Sequence, residues 1–438
     1  MTILGYGAIP YALTGAFQAL MAYCWLSFMK PQSLVWSSDV QGSRFVFFVG
    51  ICLILRGLFS DSPRFRLRGP AIWFVLFWFW MGVSTLASAD TTESMIFFEK
   101  FSKIGIALMF MTGLIRTRAH LKSFVILMAM CPGLYAIRLG LFMVRGGTST
   151  HHGGPMGMDN NDTALFIAMG IPMLVFATTE IIGKWRRRGM FVAAILAVPA
   201  VVAGGSRGGL LAMSMSGGIT LWRRYSLKRA AVIGLMAIPM VLAILPEETR
   251  ARYLTIKTYE KDESAMGRIW AWETARNMAK AKPMTGIGIG MPVFLGEYNK
   301  YKTNSIDKPH VAHSVWFSTL AGMGYPGLIL LIGMIVSALL TTRRIRKLAM
   351  RSLGGKDKWA WRYAAMLEAT ILAFATGASF LSQIGFEYAY AIFLMSVPLL
   401  AIAEQEAEKL PEAPPVEVKT KLVAKKVPLL PGRRVANV

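Results

Sequence analysis

An all-α polytopic membrane protein is the fold class that the 438-residue sequence predicts, and three observations carry it. The chain is 54% apolar and only 16% charged, whereas a soluble protein carries charge on about a quarter of its residues. Mean hydropathy is +0.47, and apolar stretches recur at lengths near the roughly 20 residues that a helix needs to cross hydrocarbon. Lys and Arg concentrate in alternate connections between those stretches, as the positive-inside rule requires.

Twelve transmembrane helices are expected, near residues 5–29, 44–59, 70–87, 103–116, 122–142, 163–183, 189–204, 208–222, 229–246, 313–341, 363–382 and 386–403. The first has no basic leader and reads as a spanning helix, not a cleaved signal. Arg64, Arg66 and Arg68 follow the second span, and Arg116, Arg118 and Lys122 follow the fourth. Lys184, Arg186, Arg187 and Arg188 follow the sixth, and Arg223, Arg224, Lys228 and Arg229 follow the eighth. With those of the 343–362 connection and the tail, more than half of the 48 Lys and Arg fall on one side. That side is expected to be cytoplasmic, with both termini inside.

The domain organisation follows. A transmembrane domain is expected over 1–403, with one long periplasmic loop at about 246–312 between the ninth and tenth helices. A disordered basic cytoplasmic tail follows over 404–438, rich in proline and charge. Its lysines have anionic lipid as a candidate surface. The net charge of +24 is then loop charge, and no nucleic-acid partner is implied. Cys24, Cys52 and Cys131 all fall inside spans and offer neither a disulfide framework nor a metal cluster.

Polar chemistry gathers on the opposite side. In "GGSRGG" (204–209), Ser206 can cap the next helix, so that backbone N–H groups and the Arg207 guanidinium point at one place. Such an arrangement binds anions, phosphate above all; the other local reading is an interfacial arginine reaching for headgroups. The long loop holds an amphipathic helix over 263–281, with Ala265, Ile269, Trp272 and Ala279 expected on its apolar face. Arg268 lies at the edge of that stripe, where neither Glu263 nor Glu273 has good helical spacing for an ion pair.

His313, where the loop enters the tenth helix, is either a proton acceptor or a residue packing at a helix start. His310 three residues earlier invites a zinc reading, but no third ligand with metal spacing is visible. "GIGIG" (286–290) lacks the strand–helix context of a dinucleotide fingerprint and reads as a tight turn allowing close packing. Asn160 and Asn161, in a Gly-rich outer loop, have either sugar hydroxyls or the cap of the sixth helix as partners. Two arginines and a base on the outer side match glycosyl transfer from a lipid diphosphate. Guanidinium groups can supply the electrostatic stabilisation, so no metal or other cofactor is required.

At these residues the sequence resembles the O-antigen ligase superfamily, and within it the O-glycosylation ligases that accompany the exosortase A system. The resemblance runs from about 5 to 403 through "AYCWLSFMKPQSLVW" (22–36), "FEKFSKI" (98–104), "GPMGMDNND" (154–162), "GGSRGGLLA" (204–212), "IKTYEKDESAMGRIWAW" (256–272), "GIGIGMPVF" (286–294) and "AHSVWF" (312–317). It implies a bacterial inner-membrane enzyme that moves a glycan from undecaprenyl diphosphate to a hydroxyl acceptor, protein or polysaccharide, at the periplasmic face. Arg207, Arg268 and His313 match the residues such ligases use, and Lys103 and Arg138 occupy positions where relatives tend to be basic. Relatives often carry an acidic residue where this chain has Gly322, so a carboxylate acting on the histidine from that position is not expected here.

Two alternatives stand beside this reading. A polysaccharide polymerase of the same superfamily would use a second lipid-linked glycan as acceptor. A lipid-linked glycan transporter would carry ionisable residues near mid-bilayer and paired repeats, whereas Arg56, Arg138, Glu368 and Glu387 sit off-centre in their spans.

Overall fold

The computed structural model describes residues 2–31, 44–60, 65–147, 159–181, 183–226, 228–232, 235–236, 263–303, 308–352, 359–380 and 384–409. Among them there is no strand. The helices are α1 (Thr2–Leu13), α2 (Ala16–Met29), α3 (Phe45–Leu58), α4 (Pro70–Leu86), α5 (Thr91–Leu114), α6 (Arg118–Val144) and α7 (Asn160–Glu180). They continue as α8 (Lys184–Ala203), α9 (Arg207–Arg224), α10 (Glu263–Ala281), α11 (Met291–Tyr301), α12 (Val315–Ser352), α13 (Trp359–Gly377) and α14 (Glu387–Glu408). A 3-10 turn, Ala378–Phe380, extends α13.

Five helices, α6, α7, α12, α13 with its turn, and α14, are long and apolar enough to cross a membrane. The shorter α2, α3 and α4 are also apolar. Several expected spans differ in extent. The first is two helices, broken at Thr14–Gly15, where the cap of α2 has extended backbone. The fourth is only the latter part of α5, which begins at Asp90, whose carboxylate accepts from the Glu93 amide. The ninth, 229–246, lies mostly outside the described residues, and 246–262 of the long loop and 410–438 of the tail lie wholly outside them.

Helix α14 is buried on every side from Tyr388 to Ala403, which makes it the central post of the bundle. Helices α4, α5, α12 and α13 pack around it, and α7 is enclosed by α6, α8, α9 and α13. The charges at one end of these helices are paired. Glu404 bridges Arg68 at 2.6 Å and Arg344 at 2.9 Å, and Glu180 lies 3.6 Å from Arg362. Glu368, whose side chain is 7% exposed, binds Arg223 at 2.9 Å and Arg346 at 3.1 Å. A carboxylate so buried persists because two guanidinium groups replace the water it lost.

At the other end the loop helices are strapped to the bundle. Helix α12 is kinked at Gly324, whose φ of 67° interrupts the helical hydrogen bonds. The freed carbonyls are taken up by the glycine-rich strap: Ile287 N donates to Ala321 O at 2.8 Å and Gly288 N to Gly322 O at 3.1 Å. Ser84 Oγ, within 2.7 Å of Thr285 O and 2.6 Å of Gly322 O, links both to α4. Gly286 has φ 66°, and an added Cβ would fall on the backbone of Ala321 and Gly322. "GIGIG" is therefore a close-packing strap, as its lack of a strand–helix context implied.

The apolar face of α10 differs from expectation. Ile269 is 40% exposed, while Ala271, Ala275 and Met278 are buried against α11 and the start of α12, and Ala279 is buried as well. Of the four residues expected on the stripe, Ala279 is buried and Trp272 is half-buried. Small residues, Gly267, Ala271, Ala275 and Ala279, form much of the buried face of α10 and allow close helix approach, a signal that hydropathy alone does not rank.

Candidate active site

The site is built where several helix ends meet. Ser206 caps α9, its Oγ accepting from Gly209 N at 3.0 Å, so Arg207 occupies the first position of that helix. Two glycines seat this turn. A Cβ on Gly209 would lie 2.5 Å from Ala164 in α7, and one on Gly208 would lie 2.5 Å from Phe380. The "RGG" sequence thus presses the Arg207 turn against the first turn of α7 and the end of α13. Arg207 itself is half-buried.

The first turn of α7 supplies a carboxylate. Asp159 is its cap, accepting from Asp162 N at 2.7 Å. Asp159 Oδ2 also lies 3.8 Å from His313 Nδ1, beyond a hydrogen bond but within ion-pair reach. The cap is therefore Asp159, with Asn160 and Asn161 as the first two helical residues, both half-buried.

His313 is held from both sides. Its φ of 42° is in the left-handed region that non-glycine residues rarely adopt. The preceding Ala312 O accepts from Trp272 Nε1 at 2.7 Å, and the Trp272 ring stacks on Phe317 at 5.1 Å, which ties α10 to the start of α12. Trp316 Nε1 donates to Ser379 Oγ at 3.1 Å, which ties α12 to the 3-10 turn that packs on Gly208. Such strain persists where surrounding contacts over-determine the backbone, and it marks functional positions.

Electrostatics join Arg268 to this cluster. Burial pushes the His313 imidazole below its ordinary value, and the Arg268 guanidinium pushes it further. Asp159 opposes them, and His310 acts with Arg268. The net effect is downward, which favours the neutral imidazole, and Nδ1 is turned toward a carboxylate. His310 packs on α10, where only Gly267 leaves room: a Cβ there would lie 2.7 Å from His310 Nδ1. Among the described residues no group of three or more His, Cys, Asp or Glu is placed to hold a metal ion.

The two further basic residues lie on α5 and α6. Lys103 is exposed on α5, pairs with Glu99 at 2.5 Å, and lies about 18 Å along the helix from Thr91. Arg138 is exposed within the last two turns of α6, and its place in the site rests on the resemblance alone. One turn from Lys103, Lys100 lines a cavity of about 370 Å³ with Phe97, Phe101 and Ile104. That cavity reaches Val311 and Ala312, the residues just before His313. Helical spacing from Glu93 through Phe97 to Lys100 and Ile104 is the signal that singles out Lys100 over Lys103.

Sequence reasoning did not find Asp159 as the partner of His313. Its place in "GMDNND", three residues before Asp162, reads only as a helix cap.

Fold and composition define a multi-pass helical membrane protein. Residues 191–332 match the family model described as O-antigen ligase, and residues 7–182 match a family of unknown function, DUF5935. No curated protein matches the chain. The first match supports the O-antigen ligase superfamily and with it glycan transfer in polysaccharide or glycoconjugate synthesis. Arg207, Arg268 and His313 all lie within it, whereas Asp159 and Lys100 lie within the second. The contact of Asp159 with His313 therefore joins the two matched regions.

Proposed function

We propose that this protein transfers a glycan from undecaprenyl diphosphate to a hydroxyl of a protein or polysaccharide, at the periplasmic face of the bacterial inner membrane. One observation carries the reading: a half-buried His313 has the Asp159 carboxylate 3.8 Å from Nδ1 and feels the Arg268 guanidinium, with the Arg207 turn packed on the helix that Asp159 caps.

With Nδ1 turned to Asp159, Nε2 of His313 is assigned the role of base. It takes the proton of the acceptor hydroxyl as that oxygen attacks the anomeric carbon. The bond from that carbon to the diphosphate oxygen breaks, and the electron pair leaves with the polyprenyl diphosphate. Attack opposite the leaving group inverts the anomeric centre. Arg207 and Arg268 stabilise the charge that develops on the diphosphate, where a guanidinium fork matches two oxygens. The apolar cavity beside Lys100 suits the isoprenoid segment nearest the phosphates. Among the described residues the ion pairs of Glu368 and Glu404 with arginines lie toward the other end of the bundle, which favours the periplasmic side for the reaction.

The test uses the purified full-length protein in detergent with a labelled lipid-linked glycan, with and without a hydroxyl acceptor. Acceptor-dependent loss of glycan from the lipid is the expected result. His313→Ala is expected to lower the rate by about 10²–10⁴-fold while the protein inserts and purifies normally. Transfer at the unsubstituted rate by His313→Ala would remove the base, and donor left intact by the unsubstituted protein would favour a transporter.

A further inference from the structure

At the end of the bundle opposite His313, a second cavity of about 340 Å³ opens between α7, α9 and α13. Its mouth carries Arg223, Arg224 and Arg362, and its wall is apolar, formed by Val175, Phe176 and Met366 among others. From the level of Glu180 to Pro172, the wall runs about 12 Å toward the bundle centre.

The local charges do not cancel. Glu368 is shared by Arg223 and Arg346, and Glu180 faces Arg362 at 3.6 Å, longer than a hydrogen bond. Arg224 is exposed beside the ring of Tyr225. Four guanidinium groups thus face two carboxylates. A cationic mouth over an apolar slot at a helix-end level is complementary to one phosphate attached to an acyl chain.

We propose that this cavity is a binding site for an anionic phospholipid, with the headgroup phosphate between Arg224 and Arg362 and an acyl chain along Val175, Phe176 and Met366. Arg223, held by Glu368, contributes its field without leaving its partner. The site is separate from the transfer chemistry and does not rest on it. Its occupant would fasten α7, which also carries Asp159 at its far end, to α9 and α13.

The full-length protein, delipidated in detergent, is titrated with phosphatidylglycerol or phosphatidylcholine, and retained lipid is counted by native mass spectrometry. Phosphatidylglycerol is expected to be retained in preference, and to raise the melting temperature. Arg224→Gln and Arg362→Gln are each expected to weaken retention by about fivefold, the share of one basic residue at an anionic surface. Ala365→Phe keeps every charge but fills the slot, and is expected to abolish the preference as well. Inorganic phosphate is expected to produce no stabilisation. Equal retention of the two lipids, unchanged retention in all three variants, or stabilisation by phosphate equal to that by phosphatidylglycerol would each overturn the site.

Discussion

Residue scale is where the chemistry is decided, and His313 illustrates how. Its neutral form is the base, so kcat/KM is expected to rise as pH climbs through the His313 pKa. Burial and Arg268 place that limb below the ordinary histidine value, about 6.5. Arg268→Gln removes an influence that lowers the pKa and is expected to move the limb to higher pH, besides costing rate. Asp159→Asn removes the influence that raises it and is expected to move the limb to lower pH. That substitution is also expected to lower kcat by about tenfold or more, because a misdirected tautomer disables a histidine base. Limbs that moved together in the two variants would separate His313 from these neighbours. Asp159 acts here as a positioning residue. At position 322 a side chain would be tightly confined, since a Cβ on Gly322 lies 3.0 Å from Gly288 O.

At the scale of elements, the site depends on how loop helices are fixed to the bundle. The strap around Gly286 and Gly288 replaces the hydrogen bonds lost at the Gly324 kink, and α10 is in turn fastened to Ala312 by Trp272. Gly286→Ala is expected to cost at least about 1–2 kcal/mol from its left-handed backbone alone, with steric conflict on Ala321 and Gly322 added. Limited proteolysis of the loop and the rate of transfer should both register it. Gly296→Ala, in α11 with open space around its Cβ, is the control and should leave both unchanged or improved. If the two alanines behaved alike, the strap would have no structural role. Helix starts and stops were legible in sequence to the extent that caps mark them. Ser206 and the 263–281 helix read correctly, whereas the buried face of α10 did not, since it is set by Ala and Gly contacts and not by hydropathy.

For the molecule as a whole, the two ends of the bundle have opposite characters. One end holds arginine–glutamate pairs, and the other holds the histidine, the capping aspartate and the arginines of the site. Glu368 joins α9, α12 and α13 at once, so Glu368→Gln is expected to leave Arg223 and Arg346 facing each other at a cost of roughly 3 kcal/mol. A lowered melting temperature with transfer by the folded fraction unchanged at 25 °C would show it, because the substitution lies at the far end from His313. No change in melting temperature would mean that water serves the two guanidinium groups as well as Glu368 does.

The all-helical membrane class and the alternation of basic connections are legible in the sequence, which also offers Arg207, Arg268 and His313 as candidates. These depend on how each segment partitions between water and hydrocarbon and on charges that the bilayer sorts by side, which are local properties. The structure adds that Asp159 lies 3.8 Å from His313, that Lys100 lines the adjoining cavity, and that α14 is a central post. Hydropathy scores a side chain's transfer out of water, and that value is the same whether it ends against lipid or against another helix. Contacts between segments far apart in the chain therefore leave no mark on it.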